Sequence, residues 1–142
     1  MNVSSNATDL VSVQGIIEPV AGAATYTTSY FYAGDANAWL ALISVGTAGT
    51  STNALIQQAT DSSGTSVKTL SGSAITEIDG DGESALIQFK PGDLDVDNDF
   101  THVRLSITTV GATNVTGGML LGACVAHAPL AAGVKVDETV TV

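Results

Sequence analysis

The sequence has one cysteine, Cys124, among its 142 residues. An intrachain disulfide is therefore excluded, and with it the disulfide-framework secreted modules. Basic residues are nearly as scarce. Lys and Arg total 4 against 14 Asp and Glu, for a net charge of -10. Phosphate binding needs clustered Lys and Arg, so no nucleic-acid partner is expected. An anionic membrane surface is disfavoured for the same reason. No apolar run approaches the ~20 residues of a membrane-spanning helix. The opening stretch MNVSSNATDLVSVQG has neither the basic n-region nor the apolar h-region of a signal peptide. The expectation is synthesis and folding in a cytoplasm, with exit only as part of something larger or by lysis.

What is present is small and neutral. Hydrophobic residues make up 44 % of the chain and charged residues 13 %, the latter about half the usual ~25 %. Ser, Thr, Asn, Gln and 15 Gly supply the polarity. Such residues suit turns, strand edges and close packing between subunits. The length fits a single domain over 1–142, able to bury a core without metal or disulfide staples. The polar start, 1–9, and the end, about 130–142, read as extended arms.

The strongest pattern lies between Asp97 and His127. Val103, Leu105 and Ile107 alternate with His102, Arg104, Ser106 and Thr108. That period of two marks a strand with one face in a core and the other in water. Gly111 to Asn114 reads as a turn, and Met119 to Val125 as an apolar strand covered on both faces. The two are expected to form a long central hairpin.

The remaining segments read the same way. Leu10 to Ile17 forms a short edge strand closed by Pro19. Thr25 to Ala33 is one strand, with Tyr26, Thr28, Tyr30 and Tyr32 on one face. Trp39, Ala41, Ile43 and Val45 alternate with other apolar residues, which predicts a central strand. Ala54 to Thr60 is a strand, and Ser66 to Leu70 pairs back on it across the Asp61–Gly64 turn. Ile75 to Ile78 is a short strand or loop, and Ser84 to Phe89 a strand ended by Pro91-Gly92. No stretch sustains a capped 3.6-residue period. The fold class is therefore all-β: a β-sandwich or jelly roll of about eight antiparallel strands.

No catalytic, cofactor-binding or metal-ligating residue is assigned, and no cofactor is expected. His102 and His127, the two histidines, have no Cys or carboxylate at ligand spacing. Cys124 lies in an apolar run with nothing beside it to lower its pKa, so it reads as a small buried residue. No set of residues fills the nucleophile, base and oxyanion roles, so an enzyme is not expected. Two acidic clusters, Asp79, Asp81 and Glu83, and Asp93, Asp95, Asp97 and Asp99, place carboxylates at alternate positions. Asn98 stands where a calcium loop of the EF-hand type needs Gly, and Arg104 where it needs Glu. Both clusters read as solvated acidic turns. A looser calcium site, or with Trp39 and the tyrosines a carbohydrate site, is the alternative to a structural role.

The layout of NAWLALISVG, ALIQQATDSSGTSVKTL and FTHVRLSITTVGATNVTGGMLLGACVAHAP, over approximately Tyr26 to Pro129, resembles the capsid cement (decoration) proteins of tailed bacteriophages. The resemblance implies a jelly roll and a virion structural protein that binds the outside of a capsid and stabilises contacts between capsomers. It implies the major capsid protein and further copies of the chain, as dimer or trimer, as partners. The termini and the Tyr26–Tyr32 face are the contacts expected from the residues. A tail, head–tail joining or fibre-base protein is the alternative within the virion.

Overall fold

The computed structural model describes residues 10–123. Cys124, His127 and the 1–9 and 130–142 arms lie outside the described residues. Ten strands follow one another: β1 (Val11–Ala21), β2 (Thr25–Thr27), β3 (Phe31–Tyr32), β4 (Ala38–Thr47), β5 (Ser51–Ala59), β6 (Lys68–Thr69), β7 (Ile75–Ile78), β8 (Ser84–Phe89), β9 (His102–Val110) and β10 (Val115–Ala123). Between Val11 and Ala123 there is no α-helix, only short 3-10 turns.

The strands form two antiparallel sheets. One has the order β1-β10-β4-β8; the other runs β2-β9-β5-β6. The short β3 continues β2 along the same side of β9, and β7 continues β6 along the same side of β5. Ten strands therefore fill eight sheet positions. The chain alternates between sheets in the manner of a jelly roll, in which two Greek keys wrap one core. The expected all-β sandwich is the observed fold.

The core is what the period of two predicts. Trp39, Ala41, Ile43 and Val45 of β4 face Val103, Leu105 and Ile107 of β9, all essentially inaccessible to solvent. Trp39 stacks on Phe89 at 6.1 Å between ring centroids, and its indole N–H donates to the Ala33 carbonyl at 2.9 Å. Gly118 makes the sheets' close approach possible. A Cβ there would come within 2.9 Å of both Ile107 and the Leu42 carbonyl oxygen.

Four expectations need correction. First, β9 and β10 are not a hairpin. β9 pairs with β2, β3 and β5, whereas β10 pairs with β1 and β4 in the other sheet. The 111–114 turn is an arch from one sheet to the other. Second, Pro19 does not close β1. The strand passes through it to Ala21, with its register to β10 shifted between Ile17 and Val20. A bulge there absorbs the missing N–H. Third, Thr25 to Ala33 is two strands: the Thr28 N–H still donates to the Leu105 carbonyl at 3.0 Å, but the Leu105 N–H goes to the Thr28 hydroxyl at 3.1 Å instead of to its carbonyl. Fourth, Ser106 is buried at 5 % exposure, between its cross-strand neighbours Thr27 and Leu55. The outer face of β9 is only partly wet.

One end of the sandwich is held by Asn114. The loops after β1, β4, β7 and β9 meet there. The Asn114 amide donates to the carbonyl oxygens of Ala48 and Ser51 and to the Thr52 hydroxyl. Thr116 donates to the Asn114 side-chain oxygen at 2.5 Å, and Gly22 N–H donates to its backbone carbonyl at 2.9 Å. Gly49, at φ +62°, lies against Asn114, where a Cβ would come within 3.0 Å. Every polar atom of this buried side chain is thus satisfied, as burial requires.

Candidate interaction surface

The two outward faces of the sandwich differ in chemistry. On the sheet of β9 and β5 most outward residues are polar, and several bond one another, with Leu55 and Val110 the apolar ones. Arg104 donates to Gln57 at 2.7 Å and lies over the Tyr30 ring at 4.5 Å; Thr25 and Thr108 share a hydrogen bond of 2.9 Å. Burial raises the Tyr30 phenol pKa, partly offset by Arg104. The Tyr30 hydroxyl is buried without a partner among the described residues.

The sheet of β1, β10, β4 and β8 presents an apolar outward face. Register places Ile16, Met119, Leu42 and Leu86 in one row across all four strands, with Val13, Leu121 and Leu40 in the next. β4, β8 and β10 carry no charged residue, and β1 carries one, Glu18. Leu86 is 62 % exposed. Gly117, lacking a side chain, leaves a cleft of about 280 Å³ bounded by Pro19, Leu42 and Met119.

This face was legible in the sequence in part. The run from Met119 was expected to be covered on both sides. The described residues cover only one side of it: Leu120 points into the core, while Met119 and Leu121 face outward. A strand apolar on both faces is normally buried on both. The missing signal was that the second cover need not come from the same chain.

Several of the other candidate residues have structural work. Asp81 accepts the Ala48 N–H at 2.8 Å, and Glu83 accepts the Gly80 N–H at 3.2 Å. Asp93 accepts the Lys90 N–H at 2.9 Å. Asp95 pairs with Lys68 and accepts from Asn98 at 2.9 Å; those bonds, led by Lys68, hold its pKa below the ordinary carboxylate value. Among the described residues no three His, Cys, Asp or Glu side chains converge on a common point. His102 bonds Thr101 through Nδ1 at 2.9 Å and packs on Tyr32 at 5.6 Å. Trp39 is buried, so it cannot offer a ring to a sugar. The expected tyrosine face is divided: Tyr26 packs against the core, Tyr30 lies under Arg104, and Tyr32 is exposed beside His102.

No protein-family profile and no curated protein sequence matches the chain. Solved structures do match at a distance. A Bacillus endospore appendage protein, of a family described as disulfide-linked pili, is 18 % identical over 85 % of this chain and 94 % of its own, with a TM-score of 0.36. The cowpea mosaic virus top component is 11 % identical over the whole of both chains, with a TM-score of 0.43. An empty particle of the same virus gives 12 % identity over 96 % of each chain and a TM-score of 0.39. The structural similarity to jelly-roll β-sandwich proteins is distant.

Proposed function

We propose that the protein is a virion structural protein: a homo-oligomeric capsid cement protein that binds the outside of a bacteriophage capsid and bridges neighbouring capsomers. The observation that carries this reading is the apolar outward face of the β1-β10-β4-β8 sheet, whose one charged residue is Glu18 of β1, on a chain of net charge -10. An apolar patch of this kind marks a binding surface, and a partner that covers Met119, Leu121 and Leu42 completes the burial this sequence pattern implies. The sequence resemblance supplies the capsid as that partner. A subunit that binds the expanded lattice and not its precursor stabilises the former by mass action. The role is structural, with no catalytic step, and its place is the virion exterior after synthesis in the host cytoplasm.

The test is binding of the purified protein to expanded capsids lacking it. Apolar contact is not screened by salt, whereas exposed charge attraction decays over ~8 Å at physiological ionic strength. Binding is expected to persist in high salt and to raise the temperature at which particles rupture. Met119→Glu, on the outward face, should fold normally and lose binding. Labelled protein found only at the tail vertex would replace this reading with a tail or joining protein.

A further inference from the structure

We propose that two copies of this chain join edge to edge through β8, antiparallel, about a two-fold axis at Leu86. The inference deepens the self-association in the cement reading and rests on it for its biological setting.

Exposed sheet edges invite pairing, and proteins usually blunt them with bulges, Pro, charge or breaks. Three of the four edges described here are blunted. β1 carries two register shifts, Glu18 and Pro19. The β2–β3 edge is broken between Thr27 and Phe31. The β6–β7 edge is broken likewise, and Glu77 within β7 has φ +64°. β8 has none of these devices. Its sequence, SALIQF, is uncharged, and it pairs with β4 without a break from Ser84 to Phe89.

The ladder fixes which backbone groups are available. Val45 N–H donates to the Glu83 carbonyl at 2.8 Å. In an antiparallel ladder, groups then alternate in direction. Residues 83, 85, 87 and 89 turn toward β4. The N–H and C=O of Ser84, Leu86 and Gln88 turn to the free edge. A two-fold axis at Leu86 sets Leu86 against its own copy and Ser84 against Gln88 of the second copy. Every one of these N–H and C=O groups is then bonded. Side chains also agree: the row Ile16, Met119, Leu42 and Leu86 continues onto the second copy's Leu86.

Charge permits the same partner. β8 carries no charged residue, so two chains of net charge -10 meet there without local repulsion.

Native mass spectrometry and sedimentation of the full chain at micromolar concentration should show a dimer. Gln88→Pro removes only an edge N–H and should halve the mass while leaving the far-UV spectrum unchanged. In a Cys124→Ser background, Leu86→Cys should oxidise to a disulfide-linked dimer, because directly opposite residues lie ~5.5 Å apart at Cα. Gln88→Cys, opposite Ser84, should not. A wild-type monomer overturns the proposal. If the Leu86 amide of that monomer is also protected from hydrogen exchange, the edge is covered from within the same chain. A dimer that survives Gln88→Pro and is not trapped by Leu86→Cys overturns it as well. Capsid binding is read separately: its failure alongside a β8 dimer removes the cement reading and leaves the pairing standing.

Discussion

The side-chain amide of Asn114 donates to the Thr52 hydroxyl at 2.9 Å, joining the end of one sheet to the start of a strand in the other. Thr52 and Thr116 share a further bond of 3.1 Å. These groups sit inside the sandwich, where an unmade hydrogen bond costs more than a made one contributes. The arch that carries the chain from β9 to β10 is therefore held by polar contacts as well as packing.

Asn114→Ala is expected to destabilise the protein by about 2–3 kcal/mol, since it removes the side-chain bonds to the Ala48 and Ser51 carbonyls and to the Thr52 and Thr116 hydroxyls inside the sandwich. Asn114→Asp should cost at least as much, because a carboxylate cannot donate to those carbonyls. Urea unfolding midpoints check both. A midpoint unchanged in both variants would mean that the loop end is held by packing alone.

The two faces of β9 give a second comparison. Leu105→Asp places an unpaired carboxylate in the core and should prevent soluble folding, at a cost above about 4 kcal/mol. Ser106→Asp meets a site that is small and buried yet lies under the outward side chains. It should fold with a loss of about 1–2 kcal/mol. Soluble yield and thermal midpoint separate the two.

Tyr30→Phe removes a buried hydroxyl that has no partner among the described residues and leaves the ring beneath Arg104. The expected change is between zero and about 1 kcal/mol of added stability. Chemical denaturation measures it. A clear loss of stability would show that the hydroxyl is bonded.

Acid should weaken the fold through two turns. The Asp61 pKa is lowered mainly by its hydrogen bond from the Thr65 hydroxyl, aided by the Thr65 backbone N–H, and the Asp95 pKa mainly by Lys68. A carboxylate with a depressed folded-state pKa contributes stability that is present above its unfolded value, ~3.9. That stability is lost as pH falls through the lower folded value. Thermal midpoints should be flat near neutrality and fall below about pH 4. Asp61→Asn and Asp95→Asn should flatten that fall.

What the sequence by itself determined is the all-β class, the place of most strands and the core side of those with clear alternation. The interval Ser84 to Phe89 was legible residue for residue, because turn signals bound it on both sides. Val103, Leu105 and Ile107 declared the core side of β9, since alternation in apolar character is a local property of the chain. The pairing of β6 on β5 across the Asp61–Gly64 turn was legible as well, but tertiary structure decided which strands lie beside β9 and β10. Nothing in Gly111 to Asn114 distinguishes a hairpin turn from an arch between sheets, because both need the same short polar loop. The choice is made by partners far away in sequence: β5 and β2 for β9, β1 and β4 for β10. The uncovered face of Met119 and Leu121 follows from the same cause. A period of two says that both sides of a strand are apolar; only the assembled sandwich shows that one of them has no cover within the described chain.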